Sequence, residues 1–226
     1  MSGQSSSERE YALLVAQLHA LDHDIDAARA TARQAAHPRG TGFTFHLHDE
    51  PAPEPPSGEA VRLADGAQIV IRPVSPDDRD ELRVAFAHLG AVSRFRRYRR
   101  PVEHLTARQL SELCDVDHDT HEGLMALTGD GQCVGAARFV RAHDDPAQAE
   151  FTCTVADAWQ RRGVGTALVG RLAARARALG VEHFVAVMLV GNEPARRLVH
   201  HVGREVTEHR EGGEIEATGV PRDLLR

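Results

Sequence analysis

Trp159-Gln160-Arg161-Arg162-Gly163-Val164-Gly165-Thr166-Ala167 joins a stretch that reads as a strand, ending at Val155, to one that repeats like a helix, starting near Gly165. Glycines at 163 and 165 let the backbone approach a ligand closely, and the first N–H groups of a helix lack intrahelical partners. Together with the helix dipole, those groups make a site for an anion such as a pyrophosphate. A P-loop is excluded because no Gly-Lys-Ser/Thr is present, and the dinucleotide fingerprint because its third glycine is missing. On these residues alone, an anion site and an ordinary strand-to-helix turn are both open.

Working outward, Leu168, Leu172, Ala176 and Leu179 fall on one face of a helix predicted from Gly165 to Leu179, with Gly180 as its C-cap. Val181 to Leu189 reads as a strand, Glu193 to Val202 as a helix, and Arg204 to Glu208 with Glu214 to Thr218 as a closing hairpin. Upstream, Gly123 to Thr128, Gln132 to Arg141 and Glu150 to Val155 make an antiparallel meander around the Gly129-Asp130-Gly131 turn. Earlier still, Val61 to Leu63 and Gln68 to Arg72 flank an Asp65-Gly66 turn. Ser75-Pro76-Asp77-Asp78 then opens a helix that Gly90 ends, and a second helical region follows. Sheet with flanking helices is an α/β or α+β fold.

Residues 1–36 carry a heptad-like seam through Tyr11, Leu14, Leu18, Leu21, Ile25, Ala28, Ala32 and Ala35, predicting one long amphipathic helix. Packing on the chain's own domain and pairing in a homodimer are both open for it. Residues 37–59 concentrate Pro, Gly and charge and read as a linker, leaving 60–226 as the folded domain. The chain of 226 residues carries a formal charge of −6, which gives no electrostatic reason to expect nucleic acid or an anionic membrane as partner. No export signal and no membrane-spanning run is expected, and three cysteines without Cys-x-x-Cys spacing fit a reducing cytoplasm.

Gln160-x-x-Gly163-x-Gly165 resembles the coenzyme A signature of the GNAT N-acetyltransferases. The likeness extends through Ile71-Arg72-Pro73, Ser93-Arg94-Phe95, Asp115 to His121, Ala149-Glu150-Phe151, Val155 to Gln160, and Asn192. In that order they resemble the GNAT domain of bacterial Pat-type protein lysine acetyltransferases, over about residues 61–210. The resemblance implies a mixed, twisted sheet whose central strands, Glu150–Val155 and Val181–Leu189, splay around acetyl-CoA. It implies no metal. The backbone at Val155 would meet the pantetheine arm and polarise the thioester carbonyl. The pyrophosphate would lie on Gln160, Arg161, Arg162, Gly163, Val164, Gly165, Thr166 and Ala167, with Asn192 touching the cofactor. Glu150 would be the general base, its pKa raised by partial burial, and the acceptor a protein lysine acetylated directly in a ternary complex. Val199 stands where many such enzymes have a tyrosine acid, and Arg204 where an aromatic is usual. A small-molecule amine as acceptor, or a module that senses acetyl-CoA without turnover, are the alternatives.

Other features carry less. Asp115-Val116-Asp117-His118-Asp119 imitates half an EF-hand, but Thr120 replaces the required glycine and Ala126 the final glutamate. Cys153 lacks an evident histidine to make it a nucleophile. Arg94, Arg96, Arg97, Arg99 and Arg100, interleaved with Phe95 and Tyr98, are the sharpest positive cluster. They fit coenzyme A phosphates, an acidic stretch of a substrate, or a solvated helix face.

Overall fold

The computed structural model describes residues 58–224; the predicted helix over 1–36 and nearly all of the linker lie outside them. Strands β1 (Glu59–Arg62), β2 (Gln68–Pro73), β3 (His121–Leu127), β4 (Cys133–Arg141), β5 (Gln148–Val155), β6 (His183–Leu189), β7 (Gly203–Glu211) and β8 (Glu214–Pro221) form one sheet, in the order β1-β2-β3-β4-β5-β6-β8-β7. Every neighbouring pair is antiparallel except β5 and β6, which are parallel. A parallel pair needs a crossover, and α4 (Val164–Ala178) supplies it. The remaining helices are α1 (Arg79–Ala87), α2 (Ala91–Tyr98), α3 (Ala107–Cys114) and α5 (Glu193–Val202).

The sheet is covered on both faces, and this explains why β3 reads as an unbroken apolar run rather than an alternating one. Leu124 and Ala126 face α4 in a core with Leu168, Leu172, Phe139, Phe151 and Phe184. Met125 and Leu127 face the other way, toward Leu82 and Phe86 of α1 and Leu110 and Cys114 of α3. Phe184 of β6 lies 5.0 Å from Phe151 of β5 and 6.2 Å from Phe139 of β4, ring centre to ring centre, so aromatic packing fastens β6 to the sheet where it is paired with β5.

The helix predicted to open at Ser75 begins as a single 3-10 turn, Pro76–Asp78, before α1. Asp78 anchors this turn. Its carboxylate takes the Ser75 N–H at 2.7 Å and both Arg72 nitrogens at 2.7 and 2.6 Å, which binds the turn to β2. Burial alone would raise the pKa of Asp78, but the bonds from Arg72 and Ser75 outweigh it and hold the carboxyl below its usual range. β1 takes in Glu59, which composition assigned to the linker: it pairs with Ile71 of β2, and Arg171 of α4 engages its carboxylate. Gly203 opens β7, and Arg204, which stands where an aromatic is usual, follows it. A Cβ at 203 would lie 2.9 Å from Val206 and 3.0 Å from the Val199 carbonyl. Arg204 itself is exposed.

Candidate active site

β5 and β6 are paired only at Gln148–His183, Ala149–Phe184 and Glu150–Val185. Beyond that point β5 stays on β4 as far as Val155–Gly135, and β6 stays on β8 as far as Leu189–Glu214. Each strand keeps its outer ladder while the inner one opens, so the expected splay is present. The Ala156 N–H donates to the Val134 carbonyl at 2.9 Å, which sets the phase of the β4–β5 ladder. Antiparallel alternation then turns the N–H groups of Cys153 and Val155 away from β4 and into the gap. The Val155 carbonyl, on that same edge, accepts from Gln160 Nε2 at 3.1 Å.

The N-terminus of α4 closes one end of this gap. Arg161 at φ 60° and Gly163 at φ 97° both adopt left-handed backbone in the turn that leads into the helix. Gly135 lets the helix come close to the sheet: a Cβ there would lie 3.1 Å from Leu168 Cδ1 and the Thr154 carbonyl, and 3.2 Å from Val164 Cγ1. At Gly165, on the gap side, a side chain would begin within 3.5–3.8 Å of Leu198, Val155 and Cys153. The N–H groups of Val164, Gly165 and Thr166 belong to the first turn. Ala167 does not share their freedom, because its N–H already donates to the Gly163 carbonyl at 2.9 Å.

The polar side chains of this loop hold it in place. Gln160 reaches Asp157 Oδ1 at 2.8 Å and Ser93 Oγ at 3.2 Å besides the Val155 carbonyl. Asp157 in turn accepts from the Gly90 N–H at 2.8 Å, at the start of α2, and from the Ser93 hydroxyl. Arg162 was expected on the pyrophosphate. Its guanidinium stacks 4.0 Å over Trp159 and pairs with Asp65 at 2.5 Å, pinning the loop to the β1–β2 turn. Arg161 is exposed at the rim. Across the gap Asn192 caps α5, its Oδ1 accepting from the Ala195 N–H at 3.5 Å, while its Nδ2 makes no bond among the described residues.

Glu150 lies at the other end of the gap, on the sheet face opposite α4. Partial burial was expected; it is exposed and in no ion pair among the described residues. It opens onto a cavity of about 290 Å³, shared with Arg97 and Tyr98 of α2, Glu112 of α3, Arg138 of β4 and Thr152. An apolar recess of about 70 Å³ under α1, α2 and α3 shares Arg97, Tyr98, Arg138 and Thr152 with it. Burial lowers the pKa of Arg97, and the nearby Arg138 guanidinium adds to that. Val199 is 5% exposed within the core, so no hydroxyl stands at its position. Burial pushes the Cys153 thiol up to about 12, which removes it as a nucleophile near neutral pH.

Distance along β5 assigns the backbone donors. Val155 is five residues from Glu150, about 17 Å of extended strand, whereas Cys153 is about 10 Å away. Of these two N–H groups on the open edge, that of Cys153 is the nearer to Glu150. Arg97, Arg138 and Asp157 had not been singled out individually from sequence. The arginine cluster at 94–100 was a signal for Arg97, and nothing in the sequence pointed to Arg138.

Asp117, in the EF-hand-like stretch, is spent locally. It accepts from the Thr120 hydroxyl and from the Asp119 and His121 N–H groups, which hold its carboxyl far below the usual range. Among the described residues, no group of three or more His, Cys, Asp or Glu side chains is placed to hold a metal ion, and no helix is long and apolar enough to cross a membrane.

Comparison with known proteins agrees with this fold. Acetyltransferase Pat of Mycolicibacterium smegmatis is 32% identical over 147 residues, which are 63% of this chain and 43% of that protein. The matched chain thus spans less than half the length of this relative. The solved GNAT domain of S. lividans PAT superposes with a TM-score of 0.66 at 29% identity, covering 72% of this chain and 96% of that one. The structure of yncA from Salmonella typhimurium with its cofactor acetyl-CoA shares the fold at a TM-score of 0.53 and 21% identity, over 70% of this chain and 96% of that one. Residues 68–205 match the Acetyltransferase (GNAT) domain family, and with more than half of its length inside that match the chain belongs to the GNAT acetyltransferases.

Proposed function

We propose that this protein transfers the acetyl group of acetyl-CoA directly to a primary amine, a lysine side chain of another protein. The observation that carries the reading is the gap between β5 and β6, with helix N–H groups that have no partner among the described residues at one end and Glu150 at the other. Acetyl-CoA supplies a thioester whose carbonyl carbon is open to attack. The N–H groups of Val164, Gly165 and Thr166 take the pyrophosphate, and the backbone of Val155 with Asn192 Nδ2 holds the pantetheine arm. The Cys153 N–H donates to the thioester oxygen, where negative charge grows as the amine adds.

A lysine side chain has a pKa of about 10.4 and must lose a proton before its nitrogen can attack. Glu150, acting through a water, takes that proton. The N–C bond forms, the C–S bond breaks, and the sulfur leaves with the bonding electron pair. With Val199 in the core, that sulfur takes its proton from water, which a thiol pKa of about 8.5 allows. All three cysteines are free thiols, consistent with a reducing compartment, and we place the protein in the cytoplasm.

A small free amine is the second reading, favoured by the modest volume of the Glu150 cavity. The test is release of coenzyme A thiol from acetyl-CoA with protein, peptide and small-amine acceptors. Acceptor-dependent release supports catalysis. Tight acetyl-CoA binding with no release from any acceptor moves the protein to a sensor of acetyl-CoA.

A further inference from the structure

Three arginines and two glutamates line the Glu150 cavity, and their pairings leave an imbalance. Arg99 is engaged with Glu214 at 2.9 Å, and Glu112 with Arg108 at 2.9 Å. What remains facing the cavity is Arg97, Arg138 and Glu150. Arg138 donates through Nη1 to the Glu112 carbonyl at 2.7 Å and lies 3.4 Å from His121 Nε2, with no carboxylate partner among the described residues. Arg97 has its guanidinium 5.0 Å from the Tyr98 ring centre and forms no salt bridge among the described residues, although it feels the Glu150 charge across the cavity. Two half-buried guanidinium groups thus share a small cavity with one carboxylate. Holding like charges together away from water is unfavourable, and an incoming anion relieves it.

That anion is not a coenzyme A phosphate. The α4 N-terminus follows the far end of β5, and Val155 alone is about 17 Å from Glu150. It must arrive with the acceptor. We propose that Arg97 and Arg138 form a carboxylate subsite beside Glu150, so that the preferred acceptor is a primary amine accompanied by a carboxylate. An acidic residue flanking a substrate lysine, or the carboxylate of a free amino acid, supplies the same chemistry. The pair also favours the neutral over the protonated form of a nearby amine, which is the form that reacts. This proposal rests on the acetyltransferase reading above, but it can fail separately.

The full chain, with saturating acetyl-CoA, is offered capped peptides in which lysine is flanked by Asp or by Asn, and in a second arm free lysine or lysinamide. A charge-assisted contact predicts a kcat/KM ratio of about tenfold or more in favour of the carboxylate-bearing member of at least one arm. The arm that shows the ratio identifies the source of the carboxylate. Arg97→Gln and Arg138→Gln each bring that ratio toward one, and Arg138→Lys restores part of it. Equal rates for both members in both arms overturn the proposal while leaving the acetyltransferase reading intact, as does a ratio that survives both glutamine variants. If no acceptor is acetylated, that reading fails. Anisotropy of fluorescein-labelled Asp and Asn peptides then decides the subsite: tighter Asp binding lost in the variants supports it, and equal binding overturns it.

Discussion

At its C-terminal end β5 runs into Gln160, Gly163 and the first turn of α4, so this end of the gap is built mainly from one continuous stretch of chain. At its N-terminal end Glu150 meets Arg97 from α2, Glu112 from α3 and Arg138 from β4, elements far apart in sequence. The two ends also use different groups. One presents backbone N–H donors positioned by glycines and by the Gln160–Asp157–Ser93 cluster; the other presents charged side chains. Backbone donors tolerate many neighbouring side chains but not a blocked approach, whereas a side-chain pocket changes its chemistry with each substitution. Cofactor affinity and acceptor turnover should therefore separate under mutation.

Glu150→Gln should have the largest effect, lowering kcat by about a hundredfold or more while leaving the acetyl-CoA Kd within about twofold. A matching loss of acetyl-CoA affinity in calorimetry would break the division between the ends. Gly165→Val should do the reverse, because its side chain grows into the space beside Leu198, Val155 and Cys153. A rise in acetyl-CoA Kd of about tenfold is expected, with a much smaller change in kcat at saturation. Gln160→Ala removes bonds that hold the Val155 carbonyl and Asp157, and about 1 kcal/mol from that cluster predicts an increase of about fivefold in KM for acetyl-CoA.

The smallest effect is expected at Cys153. With its thiol pushed up to about 12, only about one part in ten thousand is thiolate at pH 8, so alkylation by iodoacetamide should be slow. The raised value keeps the group neutral through the working pH range; its thiolate appears only in strong alkali. Cys153→Ala should keep kcat within about threefold, and a mass spectrum after exposure to acetyl-CoA should show no acetylated Cys153. A covalent adduct there would replace direct transfer with a two-step route.

The contrast between the ends also explains what was legible in the sequence. Helix α4, its glycine-rich lead and the strands beside it follow from short-range periodicity and turn chemistry, and the structure has them with small changes of boundary. Glu150 was reached through a motif resemblance, since its own surroundings in sequence are unremarkable. Arg138 sits in a strand where an arginine reads as an ordinary outward-facing residue; only the pairing of β4 with β5 and the placing of α2 give it meaning. Ala167 and Arg162 show the converse limit. Sequence puts both in the cofactor loop, but whether an N–H is already bonded, or a guanidinium already stacked on Trp159, depends on three-dimensional geometry.

A crystal structure of the full chain with acetyl-CoA bound tests the account most directly. The account predicts the pyrophosphate within hydrogen-bond distance of the N–H groups of Val164, Gly165 and Thr166, and the thioester oxygen on the Cys153 N–H, facing Glu150. A cofactor bound outside the β5–β6 gap, or a thioester at the Val155 end out of reach of Glu150 and its water, would contradict it.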